Sequence, residues 1–204
     1  MTSKRLTCAT CLRPATTCIC QWITPTPMRA GVLLLQHPLE VHNAKNSARL
    51  LHLSLPGSVL VIGETFAAST LQTLLAGPRR AVLLYPDTPG DASLGIAPPP
   101  PFEPAWAVDP ANLLLVVLDA TWRKSRKMLY LNPALQALPR LALRDVAPSR
   151  YDIRKAHAPG QLSTLEAAVH ALAQLEDDTG RYAPLLNAFD GFVGQQQALV
   201  TARG

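Results

Sequence analysis

The sequence predicts an α/β protein: a mostly parallel sheet with helices on both faces, preceded by a small zinc knuckle. Two observations predict the sheet. Uniformly apolar runs of strand length alternate with segments of helical period, and the runs do not show the in–out alternation of a sheet with one wet face. A third observation predicts the knuckle, because all four cysteines fall within thirteen residues, Cys8-x-x-Cys11-x6-Cys18-x-Cys20.

In chain order, "GVLLLQ" reads as a strand over about Gly31 to Gln36, and "NAKNSARLLHLSL" places Ala44, Ala48, Leu51 and Leu55 on one helical stripe. "GSVLVIGE" is a second strand, "TFAASTLQTLLAG" a short helix stopped by Gly77, and "RRAVLLYPD" a third strand. The stretch 86–110 carries eight prolines and is expected to be a surface excursion, since proline neither continues a helix nor completes a ladder. "NLLLVVLD" is the fourth strand, followed by a helix closed by Asn132-Pro133, and a fifth strand lies near Leu141. Ser163-x-x-Glu166 forms a capping box opening an amphipathic helix. The last segment predicts a helix interrupted near Gly191 and Gly194. The organisation expected is a zinc-binding segment of four cysteines over 1–28 and one α/β domain over 29–204.

The chain of 204 residues, 48% hydrophobic, has material for a substantial core, and no apolar run reaches the roughly 18 to 20 residues that span a bilayer. The N-terminus lacks the apolar core of a signal peptide, so a soluble cytoplasmic protein is expected. Four thiols kept together suit a tetrahedral zinc site, with Cys8, Cys11, Cys18 and Cys20 filling every ligand position and leaving the metal structural. A redox dithiol is the alternative, but the strand that precedes such a motif in a thioredoxin-like unit is missing.

Net charge is +5, a modest excess whose meaning depends on clustering. Arg123, Lys124, Arg126 and Lys127 form one cluster, and Arg150, Arg154 and Lys155 another. Aromatics are only 5%, so a nucleic-acid partner would be held mainly by phosphate contacts. In parallel sheets ligands collect at the carboxyl ends of strands. Here those ends read His37-Pro38-Leu39-Glu40, Gly63-Glu64, Tyr85-Pro86-Asp87 and Asp119-Ala120-Thr121-Trp122. A lone Asp119 is as well explained as a helix cap; four such ends together point to a site. Cations 123 to 127 then occupy the first turns of a helix, where the macrodipole disfavours each by roughly 0.3 to 1 kcal/mol. Solvation or bound phosphate would offset that.

"LDATW" resembles the Asp-x-Thr-Trp signature of the DTW-domain family. "HPLEVHNAKNSARLL", "GE", "LLYPD" and "IRKAHAPGQLSTLEA" follow in the family's order, with Ser47 where the family has Thr. The resemblance implies a SPOUT-like domain with a C-terminal knot. It implies a tRNA-uridine aminocarboxypropyltransferase that moves the 3-amino-3-carboxypropyl group of S-adenosylmethionine to N3 of a uridine and releases methylthioadenosine. Asp119 is the expected general base. Gly63, Leu84 and Leu118, with Thr121, Trp122 and Ser163, are expected around the donor. Asn46, Arg49, Arg123, Lys124, Arg126, Lys127, Arg154 and Lys155 are expected to meet RNA or the donor's carboxylate, with Asn46 and Arg49 sharing a helix face. His37 and Glu40 are expected to pair structurally. A SPOUT-like methyltransferase and a non-catalytic, zinc-containing RNA-binding module remain open, as does monomer against homodimer.

Overall fold

The computed structural model describes residues 6–86, 98–144, 149 and 162–202. Five strands form one parallel sheet: β1 (Gly31–Gln36), β2 (Val59–Ile62), β3 (Arg80–Leu84), β4 (Leu113–Asp119) and β5 (Arg140–Leu141), in the spatial order β2-β1-β4-β3-β5. The helices are α1 (Ala48–Ser54), α2 (Ala68–Leu75), α3 (Trp122–Leu131), α4 (Pro133–Gln136), α5 (Thr164–Glu176) and α6 (Thr179–Thr201).

The two-residue pleat sends alternate side chains to two separate cores. Val32, Leu34, Val82, Leu115 and Val117 pack under α1, α5 and α6. Leu33, Leu35, Leu83 and Val116 pack under α2, α3 and α4. Helices therefore cover both faces, which is why β1 is apolar up to Gln36 and all six of its residues are buried. β2 departs from this: as an edge strand it leaves Val59 and Ile62 half exposed.

The topology fixes where a ligand can sit. From β1 the chain leaves through α1 to β2 on one side, and from β4 it leaves through α3 to β5 on the other. β1 and β4 are adjacent strands whose exits diverge, and the crevice at such a switch point is the usual site of an open α/β sheet. Their last residues, Gln36 and Asp119, are register partners.

Three expectations need correction. α1 begins at Ala48, so Ala44 and Asn46 lie in the loop before it and the proposed Asn46–Arg49 helix face does not exist. α6 runs uninterrupted through Gly191 and Gly194. Gly191 is there for packing, because a Cβ would run into the Trp22 ring. The second half of the proline-rich stretch is no loose excursion: Phe102 and Trp106 pack edge to face against the first core, and the Arg80 guanidinium lies 4.0 Å from the Trp106 ring centroid. Residues 87–97 lie outside the described residues, as does most of the passage from β5 to α5.

The cysteine segment shares the first core rather than standing apart, with Cys11 and Ile19 buried among the residues of the sheet and of α6. Among the described residues no helix is long and apolar enough to cross a membrane.

Candidate active site

Asp119 closes β4 at the switch point and is only 2% exposed. It is not the cap of α3, a position held by Thr121, whose side chain makes no capping bond. Its carboxylate instead joins three other parts of the chain. Oδ2 accepts from Gln36 Nε2 at 2.8 Å and Asn46 Nδ2 at 2.7 Å, and Oδ1 accepts from Thr164 Oγ1 at 2.7 Å. Burial pushes the carboxyl above its ordinary value, against those three hydrogen bonds that favour the anion, while Glu40 adds to the upward push. A carboxylate offers about four lone-pair positions, so one on Oδ1 remains.

Thr164 reaches Asp119 because the predicted capping box forms: Ser163 Oγ accepts from Glu166 N, and Glu166 Oε2 accepts from Ser163 N, which starts α5 at that point. Ser163 is thereby buried and committed to the cap. Ser47 also serves α5, its hydroxyl accepting from Leu165 N at 3.2 Å. Asn46 is buried, and its Oδ1 accepts from Gln36 Nε2 and Arg49 N.

The basic cluster divides. Lys124 Nζ donates to Glu40 at 2.9 Å and Lys127 Nζ to Glu64 at 3.0 Å, while His37 Nε2 contacts the other Glu64 oxygen at 3.0 Å. The anions that offset the helix dipole here belong to the protein, and they tie α3 to the ends of β1 and β2. The His37 and Glu40 side chains thus bond to different partners, while the two residues are joined through the backbone, Glu40 N donating to His37 O at 2.9 Å. The hydrogen bonds from Lys127 and His37 hold the Glu64 carboxyl below its usual value.

The Arg123 and Arg126 side chains make no hydrogen bond or ion pair among the described residues, and with Trp122, Lys127 and Tyr130 they line an open cleft of about 380 Å³. Trp122 is 43% exposed; one ring face stacks on Tyr85 at 5.3 Å between centroids, and the Arg140 guanidinium lies 5.1 Å from the centre of the Tyr85 ring. Tyr130, 54% exposed, follows Trp122 and Arg126 at successive steps of four along the helix, a spacing visible in the sequence but not singled out there.

The backbone positions expected around a donor are not all neighbours. Leu84 and Leu118 sit on adjacent strands, but β1 and β4 separate β2 from β3, which puts Gly63 roughly 14 Å from Leu84 at about 4.8 Å per strand. Gly63 has a local reason as well, since a Cβ there would meet the Phe66 ring at 2.5 Å. Arg49 Nη2 donates to Thr10 O at 2.9 Å. Arg154 and Lys155 lie outside the described residues.

The four cysteines converge as free thiols with their sulfurs all within 4.8 Å of one another. Cys8 and Cys20 are 3.5 Å apart and Cys11 and Cys18 3.7 Å, close to the edge of about 3.8 Å expected of sulfurs around tetrahedral zinc. The backbone amides of Cys11 and Thr10 point at Cys8 and lower its thiol, while burial raises that of Cys20. This donor set fits a structural zinc ion.

A family model described as the DTW domain matches residues 5–197. The chain is 32% identical over 182 residues to a Drosophila melanogaster protein named tRNA-uridine aminocarboxypropyltransferase 2, covering 85% of this chain and 68% of that one. Proteins of the same name from Macaca fascicularis and Mus musculus are each 26% identical over 179 residues, again 85% of this chain but 57% of theirs. The chain thus spans little more than half of those two relatives. No solved structure matches it.

Proposed function

The chain belongs to the DTW-domain family, and on that premise we propose that it modifies tRNA, transferring the 3-amino-3-carboxypropyl group of S-adenosylmethionine to N3 of a uridine. The observation that carries the reading is the buried Asp119 at the switch point, next to an open cationic and aromatic face.

In this reading Asp119 takes the N3 proton, a task suited to a carboxyl whose proton affinity burial has raised. The electron pair left on N3 then forms the bond to the donor's Cγ, the Cγ–S bond breaks, and methylthioadenosine leaves with those electrons. The sulfonium is already an activated leaving group, so the protein's contribution is mainly alignment, and the carbon that faces N3 decides between aminocarboxypropyl and methyl transfer. Reaching Asp119 requires the Thr164 side of the site to open, because its hydroxyl covers Oδ1. Leu84 and Leu118 with Thr121 and Trp122 are the proposed donor contacts. Arg49, whose buried Nε has no acceptor among the described residues, is proposed for the donor's carboxylate. Arg123 and Arg126 would meet tRNA phosphates, joined by Arg154 and Lys155; Lys124 and Lys127 reach them only by exchanging partners. The domain is proposed to be SPOUT-like, with a C-terminal knot, and to work in the cytoplasm.

Incubating the purified protein with S-adenosylmethionine and unmodified tRNA, followed by mass spectrometry of nucleosides, tests this. An aminocarboxypropyl addition on uridine is expected. A methyl addition would replace it with the methyltransferase reading, and calorimetry showing no donor binding would leave only an RNA-binding module.

A further inference from the structure

We propose that Arg13 is a positioning residue for the Asp119 site, and that it holds this role only while the cysteine knuckle carries its metal. The inference concerns the same site as the transferase reading, but it rests on contacts that stand without it.

Asn46 supplies one of the two donors on Asp119 Oδ2, yet it lies in a loop before α1, outside helix and sheet. The loop is held from outside. Arg13 forks across it, Nη1 donating to Ala44 O at 2.6 Å and Nη2 to Asn46 O at 2.8 Å. Its guanidinium carbon also lies 5.3 Å from the centre of the buried Phe192 ring of α6, which fixes the plane of the fork. Contact runs the other way too, since Arg49, at the start of α1, donates to Thr10 O between Cys8 and Cys11. Two arginines, one from each side, thus clamp the knuckle to the loop that carries Asn46.

The knuckle's own turn aims Arg13. Leu12 has φ of 58°, in the left-handed region that a branched side chain rarely enters. The turn is held by Leu12 N donating to Cys8 O at 2.9 Å and Cys8 N donating to Arg13 O at 2.8 Å, so it depends on where Cys8 lies. In so short a segment that position is set largely by the metal, whose binding free energy serves as folding free energy. Metal loss would relax the turn, free the fork and loosen Asn46.

The consequence is readable at Asp119 without turnover. Losing the Asn46 donor removes a hydrogen bond that favours the carboxylate, so the carboxyl must titrate higher. Among the described residues the other charged group acting on Asp119 is Glu40, countered by Lys124. The experiment is a ¹³C-carboxyl NMR titration of zinc-loaded full-length protein, with the Asp119 resonance identified by its disappearance in Asp119→Asn. In Arg13→Ala, with zinc retained by elemental analysis, the midpoint should rise by about half a pH unit or more, a threefold or larger change in proton affinity. Chelating zinc from the wild type should move it the same way, with little further change in Arg13→Ala. Where Arg13→Ala loses zinc, Arg13→Lys is read instead, since it keeps the charge and drops the fork. An unmoved midpoint in the zinc-loaded variant, or in the chelated wild type, overturns the proposal. Failure of the transferase reading appears in product mass and leaves this titration standing.

Discussion

Asp119 and Trp122 stand three residues apart and face opposite environments. Asp119 is 2% exposed and receives donors from β1, from the loop before α1 and from α5; Trp122 is 43% exposed and opens a face that continues through Arg123, Arg126 and Tyr130. One is a closed node whose neighbours are long-range in sequence, the other an open surface carried by a single helix. In the node every hydrogen bond is made in a place water does not reach, so breaking one is costly. On the surface, charges are solvated and screened, so their effect belongs to a partner rather than to the fold.

Substitutions at the two regions should therefore separate stability from recognition. Asp119→Ala should have the largest effect on folding. It orphans the Asn46 amide and the Thr164 hydroxyl at about 1 to 3 kcal/mol each and leaves Gln36 Nε2 only its bond to Asn46, so urea denaturation should show a loss of about 2 kcal/mol or more. A near-neutral Ala variant would show that the node is not structural.

Asp119→Asn keeps an acceptor for both amides and places an NH₂ against the Thr164 hydroxyl, which can accept, so the fold should survive. Turnover should nevertheless fall at least about 100-fold, the loss expected of the proposed general base, while calorimetry should find donor affinity largely kept. Stability has a defined pH signature. The folded carboxyl is raised above its unfolded value, so wild-type stability declines as pH rises from about 3.8 through the folded value, and the Asn variant lacks that decline. Unfolding compared at acid and neutral pH should thus favour the variant progressively toward neutrality. Equal loss of turnover and donor binding would assign Asp119 to positioning alone.

On the open face, Arg123→Ala with Arg126→Ala should leave stability within about 0.5 kcal/mol. The slope of log affinity for tRNA against log salt should become shallower by about 1 to 2, one lost phosphate contact per arginine. Unchanged slope would make the face an ordinary wet surface. The smallest effect is expected from Lys127→Ala, which removes an exposed partner of Glu64. The Glu64 carboxyl is held below its usual value, so whatever this pair contributes is present above about pH 4.5 and fades as pH falls through the lowered value. A difference between variant and wild type that grows toward acid would reverse that assignment.

Much of the fold was legible because the signals are local. Apolar runs fixed the strands, the Ser163 capping box fixed the start of α5, and the cysteine spacing fixed the candidate metal centre. The site was legible only in part. Gln36 is a polar residue ending an apolar run and Thr164 follows the cap, but neither carries a signal of its own that it meets Asp119. Lys124 and Lys127 read as part of one phosphate-facing cluster; their acids lie 84 and 63 positions away. The supposed interruption of α6 failed because Gly191 answers to Trp22, far away along the chain.

By itself the sequence determined that helices would cover both faces of the sheet, that the carboxyl ends of its strands would bear polar and charged side chains, and that four thiols would gather at one end. Periodicity, capping and ligand spacing act within a few residues, and each leaves its mark in order along the chain. Only the tertiary structure decided which strand ends are neighbours, which cations are already paired, and that Arg13 of the cysteine segment reaches the backbone of the residue that holds Asp119. Strand order and register govern those choices, and both depend on packing between segments that the chain order keeps apart.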